Sequence, residues 1–239
     1  MSRKRAVGLM PVLAIAALVL MPAVAQATPQ FRINGFLAGA TKQSVVQFGT
    51  LTLDNKLLGE FKCKVIAGVE AWNESEKGIA AVEAWEPFNC SSTECLGPVW
   101  ITAESPPELI EKKGVYEPQR WSRYVPSKGA SRPNLPWPAE LITSEAGRTA
   151  LNMRKMKLWI ICPREGLEVP FTGNVEPRVQ NGVKNGLFPS HLVFEGKGGY
   201  TSFLTSPDIE GGAETENSEL FFSGELTTLG TSQELVTAE

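Results

Sequence analysis

Apolar and polar residues alternate along most of the chain, and this alternation predicts β-strands. In Phe61-Lys62-Cys63-Lys64-Val65 the odd positions are apolar, and from Met156 to Cys162 the even positions are apolar. Successive side chains of a strand point to opposite faces, so strict alternation is typical of a strand with one buried face. Comparable segments, separated by turn signals, lie at 45–53, 60–71, 79–88, 97–103, 153–162, 167–171, 191–195, 200–204, 219–229 and 233–237.

About ten short strands with little helix predict an all-β fold, built as an antiparallel β-sandwich or jelly-roll-like domain. The run from Pro138 to Leu151 is the one plausible helix, and Gly147 weakens it. We therefore expect at most one short helix and one long Pro-rich loop.

The first 27 residues have the three parts of a secretory signal peptide. Arg3, Lys4 and Arg5 form a positive start, an apolar stretch follows to Val24, and Ala25-Gln26-Ala27 matches the A-x-A cleavage pattern. We expect cleavage before Thr28, a single β-rich domain over 28–239, and a secreted, extracellular protein. No stable membrane anchor is expected after cleavage.

Four cysteines in an exported chain predict two disulfides rather than a metal or redox site, because no C-x-x-C spacing is present. Four cysteines allow three pairings. Cys90 and Cys95 bracket a short polar loop, and Cys63 and Cys162 lie on the apolar sides of alternating segments. We expect the pairs Cys90–Cys95 and Cys63–Cys162, and no metal.

The stretch at about 105–138 interrupts the strand pattern with seven prolines and few alternating apolar positions. A long loop inside a compact domain is often functional. It combines aromatic and basic residues that could stack on sugar rings or hold an acidic polymer, and the candidate binding residues are Trp121, Tyr124, Trp137, Arg120 and Arg123. The alternative is that the tryptophans cover one edge of the core and the charges are solvated.

Charge is unevenly distributed. Loss of residues 1–27 removes three cations and no acids, which moves the net charge from −3 to −6. A net negative protein is not, as a whole, a nucleic-acid binder, so no nucleic-acid partner is expected. The stretch from Lys112 to Lys157 nevertheless has a net charge of +7, and no cation follows Lys197.

The catalytic motifs that a single sequence can reveal are missing. One histidine, His191, excludes the H-E-x-x-H zinc motif, and neither a G-x-S-x-G elbow nor a nucleotide-binding glycine loop occurs. A carboxylate pair on a β scaffold remains open as a glycosidase-like alternative, with Glu168, Glu176 and Glu195 as strand-borne candidates. We assign no catalytic residue and expect no cofactor.

Several segments resemble uncharacterised exported β-rich proteins of actinobacteria. They are Phe48-Gly49-Thr50-Leu51-Thr52-Leu53, Gly59-Glu60-Phe61-Lys62-Cys63-Lys64, Leu135-Pro136-Trp137-Pro138 with Glu140, Asn181-Gly182-Val183 and Pro189-Ser190-His191-Leu192. The resemblance implies bacterial export and a β-rich fold, and it assigns no site residue.

The sequence thus favours a secreted, non-catalytic binding or cell-envelope-associated protein whose partner is a glycan or cell-wall polymer. The alternatives are a carboxylate-dependent secreted hydrolase and a protein that self-associates through its basic middle and acidic end. The oligomeric state is not set by the sequence.

Overall fold

The computed structural model describes residues 28–33, 36–103, 134–144, 147–181, 190–198, 202–206 and 219–229. Within these ranges the chain forms β-strands and two short 3-10 turns, Pro163–Glu165 and Gly196–Gly198. The strands are β1 Arg32–Ile33, β2 Phe36–Leu37, β3 Gln43–Asn55, β4 Gly59–Glu74, β5 Lys77–Ser92, β6 Trp100–Thr102, β7 Trp137–Thr143, β8 Thr149–Cys162, β9 Leu167–Val175, β10 Arg178–Gln180, β11 His191–Glu195, β12 Ser202–Thr205 and β13 Glu219–Thr228. No helix in this part of the chain has the length and hydropathy needed to span a bilayer.

Eight strands form a closed antiparallel barrel in the ring order β3, β4, β5, β7, β8, β9, β12, β13. The ring closes where β13 pairs with β3, from Phe221 opposite Asp54 to Thr228 opposite Gln47. The all-β prediction is confirmed, but the sandwich or jelly roll is wrong. Alternation along one strand reports which face is buried, and it does not report that the first and last long strands pair with each other.

Three further strands lie outside this ring. β6 pairs with the end of β8, at Trp100 opposite Ile161. β10 pairs with β11, and β11 pairs with the second half of β13. Separately, β1 and β2 form a two-stranded hairpin.

The predicted helix at 138–151 is wrong, because this segment forms β7 and the start of β8. Trp137, Ala139 and Leu141 alternate as buried positions along β7. The chain then turns near Gly147, whose φ of +71° suits glycine. The adjacent apolar residues Leu141 and Ile142 mimic a helical spacing, but they lie on opposite faces of a strand.

Two glycines allow the barrel to close. A Cβ atom at Gly49 of β3 would lie 1.9 Å from the carbonyl oxygen of Glu225. A Cβ atom at Gly224 of β13 would lie 2.3 Å from the carbonyl oxygen of Thr50. Gly224 also has φ +123°, where other residues are strained. The closing seam therefore requires glycine on both strands.

The disulfides are Cys63–Cys90 and Cys95–Cys162. All four predicted cysteines are paired, but the predicted partners were wrong. Cys63 and Cys90 lie on the neighbouring strands β4 and β5, with a Cα–Cα distance of 4.1 Å. This contact depends on strand pairing, which the spacing of cysteines does not reveal. Two disulfides are compatible with an extracellular protein.

A segment before the barrel, described at residues 29–33 and 36–39, is tied to one end of the barrel; we call these residues the N-terminal strap. Asn73, at the end of β4, accepts a hydrogen bond from the Phe31 amide at 2.8 Å and donates to the carbonyls of Phe31 and Ala38. The Gly78 amide donates to the carbonyl of Pro29 at 3.1 Å. Because Phe31 is buried, the strap covers the end of the barrel beside the β4–β5 turn. The signal-peptide prediction concerns residues outside the described ranges.

Candidate functional site

Of the five predicted binding residues, the structure describes only Trp137. Arg120, Arg123, Trp121 and Tyr124 lie outside the described residues. Trp137 is fully buried inside the barrel, and its ring centroid is 5.7 Å from that of Trp85. Its assignment to an exposed ligand-stacking surface was therefore wrong. Its side chain instead belongs to the core, which agrees with the alternative that the tryptophans of this stretch pack against the core.

At the base of the Pro-rich insertion, the pairing along one edge of β8 is interrupted among the described residues. β6 pairs with β8 at 159–161, and β7 pairs with β8 at 149–153. β6 and β7 therefore pair with the same edge of β8 at different positions, and residues 154–158 of β8 separate the two paired segments. The Asn134 side-chain amide donates to the carbonyl of Ala103 at 2.5 Å, which fixes the two ends of the insertion beside each other.

An open cleft of about 410 Å³ lies at this interruption. We call it the insertion-base cleft. One side is the segment that leads into β7, the floor is β8, and the other side is β9. Its lining residues are Asn134, Leu135, Pro136, Pro138, Lys155, Met156, Lys157, Thr172 and Gly173. The mixture of apolar surface and ammonium groups can hold a ligand with both apolar faces and negative charge.

A β-bulge in β8 places the two lysines of the cleft. The pairing of β8 with β9 shifts between Met153 and Met156. Lys155 has φ +56°, and its amide donates to the side-chain oxygen of Asn174 at 3.1 Å. Bulges commonly re-aim side chains next to functional sites. Here the bulge leaves Met156 buried in the core with a lysine on each side of it in the sequence.

The cleft is electropositive. Lys155 is exposed, and Lys157 is half-buried with its ammonium 5.1 Å from the Trp159 ring centroid. None of the lining residues that the structure describes is acidic. The nearby acid Glu140 already has two cationic partners, Arg154 at 3.2 Å and Lys77 at 3.5 Å. An anionic group in the cleft would therefore lie near two lysine side chains and near no carboxylate among the described lining residues.

The sequence contained a signal for this site. Lys155 and Lys157 are polar positions of the alternating segment 153–162, and both lie in the basic stretch from Lys112 to Lys157. What the sequence could not show is that a bulge and the entry to β7 would enclose them in one concavity.

The lone histidine lies on the outer face of β11. His191 Nδ1 is 3.1 Å from Thr227 Oγ1 and also contacts the carboxylate of Glu225. A hydroxyl–imidazole–carboxylate relay needs the hydroxyl and the acid on different ring nitrogens. Both partners share Nδ1 here, so the three side chains do not form such a relay.

Glu168 lies on β9 and Glu195 on β11, whereas Glu176 follows the end of β9, and Glu168 and Glu176 are too far apart to act as a glycosidase-like pair. Glu168 and Glu176 are about 26 Å apart along extended chain, well beyond the roughly 5–9.5 Å of a glycosidase pair. Glu195 is ion-paired with Arg178 at 2.8 Å and with Arg148 at 3.9 Å. Partial burial raises the pKa of the Glu168 carboxyl above its ordinary value.

Cys95, Cys162 and Glu165 bring sulfur and carboxylate atoms within 4.8 Å of one another. Both sulfurs are joined in a disulfide, so they are not thiolate ligands. Glu165 Oε1 accepts a hydrogen bond from the Leu96 amide. This arrangement serves the loop around Cys95 rather than a metal ion.

No protein-family model and no curated protein matches the chain. Among solved structures it is similar to that of DynF from the dynemicin biosynthesis pathway of Micromonospora chersina, with 9% sequence identity and a TM-score of 0.46. The similarity covers 87% of this chain and 86% of that chain. No conclusion about function is taken from a likeness of this size.

Proposed function

We propose that this is a secreted, non-catalytic binding protein that holds an acidic glycan or cell-wall polymer at the insertion-base cleft. The observation that carries the proposal is the juxtaposition of Lys155 and Lys157 in an open cleft among whose described lining residues there is no acidic side chain. Sugar units present apolar C–H faces as well as charged groups. Leu135, Pro136 and Pro138 offer the matching apolar surface.

The position of the cleft adds support. It lies where the Pro-rich insertion joins the barrel, and that insertion carries six cations: Lys112, Lys113, Arg120, Arg123, Lys128 and Arg132. The same stretch, residues 104–133, also carries four acids, Glu104, Glu108, Glu111 and Glu117, so its net charge is +2. A modest excess of cations in the sequence that joins the cleft suits an anionic polymer, because each contact contributes little and the contacts sum along the chain.

The localisation in this proposal rests on the signal-peptide pattern of residues 1–27 and on the two disulfides. A secreted protein of this kind meets the polymers of the cell surface. Bacterial export, as implied by the resemblance to exported actinobacterial proteins, belongs to the same proposal.

The test compares two polymers that differ in charge, polygalacturonate and its fully methyl-esterified form. The mature protein is expected to bind the acidic polymer, to bind the ester at least about tenfold more weakly, and to lose affinity as salt rises. Substitution of both cleft lysines, Lys155→Gln with Lys157→Gln, should weaken binding of polygalacturonate about tenfold at low salt. Isothermal titration calorimetry measures each affinity.

The chain offers a matched control on another strand. Lys62 and Lys64 of β4 are also two residues apart, exposed, and on either side of a buried residue. Their replacement by glutamine removes the same charge and should leave the affinity within about twofold. Equal losses from the two lysine pairs would mean that net charge, and not the cleft, governs binding, and the proposal would fail.

The insertion is tested separately, because its residues lie outside the described ranges. Trp121→Ala with Tyr124→Ala should weaken polygalacturonate binding if the insertion takes part, as should Arg120→Gln with Arg123→Gln. Unchanged affinity in both variants would confine the site to the cleft.

A further inference from the structure

The barrel interior contains a row of buried polar side chains that lack hydrogen-bond partners among the described residues. Neither amide atom of Gln47 has a partner, and the same is true of Thr228 Oγ1, Trp85 Nε1 and Trp137 Nε1. Each of these side chains is at most 3% exposed. An unpaired buried polar group costs about 1–3 kcal/mol, so four together are unusual in a native core.

Strand register places three of these residues in one row. Thr228 of β13 lies opposite Gln47 of β3, Gln47 lies opposite Ala67 of β4, and Ala67 lies opposite Trp85 of β5. Residues directly opposite one another share a face of the sheet, and Ala67 is fully buried. The row therefore faces the interior, with Trp137 stacked near Trp85.

Two other buried amides of the barrel interior are satisfied, although Asn152 Oδ1 and Trp159 Nε1 on β8 also have no partner among the described residues. Asn55 donates to the carbonyl of Glu219 and accepts from two backbone amides, and Asn73 makes three hydrogen bonds to the strap. Gln47 differs from both although it is equally buried. Its unmet groups are therefore a local property of this row rather than of the whole interior.

The buried positions that flank the row are of mixed size, since Val45 and Val69 lie opposite each other on β3 and β4 and Val82 lies opposite Trp137, and alanines occur among them. Ala67, Ala71, Ala80 and Ala139 are all buried on β4, β5 and β7. The other half of the interior is filled by large side chains, among them Phe61, Phe171 and Phe222. An eight-stranded barrel is wide enough to be filled by side chains or to hold one small ligand.

We propose that this row is a second binding site, for an uncharged, mainly apolar small molecule that carries a carbonyl or hydroxyl oxygen. The indole N–H groups of Trp85 and Trp137 can only donate, so they require an acceptor oxygen. Gln47 and Thr228 can donate to it or accept from a hydroxyl. No buried residue of the described part of the chain is charged, so an ionised ligand would lose its hydration without gaining a counter-ion.

The probe is prodan, a neutral naphthalene ketone whose emission shifts to the blue when it leaves water. Its control is 6-(dimethylamino)naphthalene-2-sulfonate, which has the same ring system and a negative charge. We expect saturable binding of one prodan per chain with a blue shift, and binding of the sulfonate at least about tenfold weaker.

Two nearly isosteric variants locate the probe. Gln47→Leu and Thr228→Val each remove unpaired polar atoms, so each should raise the melting temperature without prodan and weaken prodan binding about tenfold. Thr205→Val is the matched control, because Thr205 is a half-buried threonine whose hydroxyl donates to the Thr172 carbonyl. It should leave the affinity unchanged.

The interior site and the cleft can fail independently. Replacement of Lys155 and Lys157 should leave prodan binding intact, and Gln47→Leu should leave polygalacturonate binding intact. The inference is overturned if prodan does not bind saturably, or if its affinity follows the lysines instead of Gln47. Stabilisation by Gln47→Leu without any prodan binding would mean that the row is served by water alone, which also overturns it.

Discussion

At the scale of single residues, Trp137 shows how neighbours in sequence can misdirect an assignment. Pro136 and Pro138 flank it and suggest a loop, yet Trp137 begins β7 and points into the barrel. The alternation of Trp137, Ala139 and Leu141 is visible in the sequence, but the prolines and the adjacent Ile142 obscure it. A proline at position 138 is accommodated within the strand, opposite Ala81 of β5.

Truncation of Trp137 should therefore destabilise the fold. We expect Trp137→Ala to lower the free energy of unfolding by about 3–5 kcal/mol, because it opens a large cavity beside Trp85. Trp137→Phe should cost clearly less, since it keeps a ring and removes an indole N–H that has no partner among the described residues. Urea denaturation followed by circular dichroism gives both values.

Trp72 is the control for this prediction. It is half-buried on β4, with the Lys42 ammonium 4.9 Å from its ring centroid. Trp72→Ala should cost less than about 2 kcal/mol. Equal losses at positions 72 and 137 would contradict the placement of Trp137 in the core.

At the scale of elements, the strands were largely predictable and their pairing was not. β4 alternates along its whole length, because one face is buried, and β8 alternates from Met156 to Ile160, after its bulge. The pairing of β13 with β3 joins residues more than 160 positions apart, and no local pattern encodes it. The cleft could not be predicted for the same reason. Its two lysines are evident in the sequence, but the bulge in β8 and the interruption between β6 and β7 depend on strand register.

The closing seam gives a prediction for an element contact. Gly224→Ala should lower the free energy of unfolding by about 3 kcal/mol or more, because the new Cβ meets the Thr50 carbonyl and φ is +123°. Gly39→Ala is the matched control, as nothing lies within 4 Å of its Cβ position, and it should change stability by less than about 0.5 kcal/mol. Chemical denaturation measures both, and a harmless Gly224→Ala would show that the seam is looser than described.

At the scale of the whole molecule, the two disulfides connect the segment between β5 and β6 to β4 and to β8. Cys90, at the end of β5, is tied back to β4, and Cys95, five residues later, is tied across to the end of β8. Two cysteines only five residues apart in the sequence are thus bonded to two different strands, β4 and β8. This arrangement fixes the chain on both sides before it enters β6.

Peptide mapping of the unreduced protein checks this connectivity. Cleavage after glutamate separates Cys90 from Cys95 at Glu94. We expect fragment 61–70 to be joined to the fragment that ends at Glu94, and fragment 95–104 to be joined to fragment 146–165. A fragment 95–104 joined to the one ending at Glu94 would restore the Cys90–Cys95 pairing and contradict the structure.

The hydrogen bond from Asn134 to Ala103 has a consequence for engineering. This hydrogen bond holds Ala103, just before the insertion, next to Asn134, just after it. Any segment that replaces the insertion therefore has to connect two residues that already lie side by side. The entropy of closing a loop rises only slowly with its length. We therefore expect that segments of other lengths can replace residues 104–133 without loss of the barrel fold, so that the disulfide-bonded barrel can serve as a platform for grafted recognition segments.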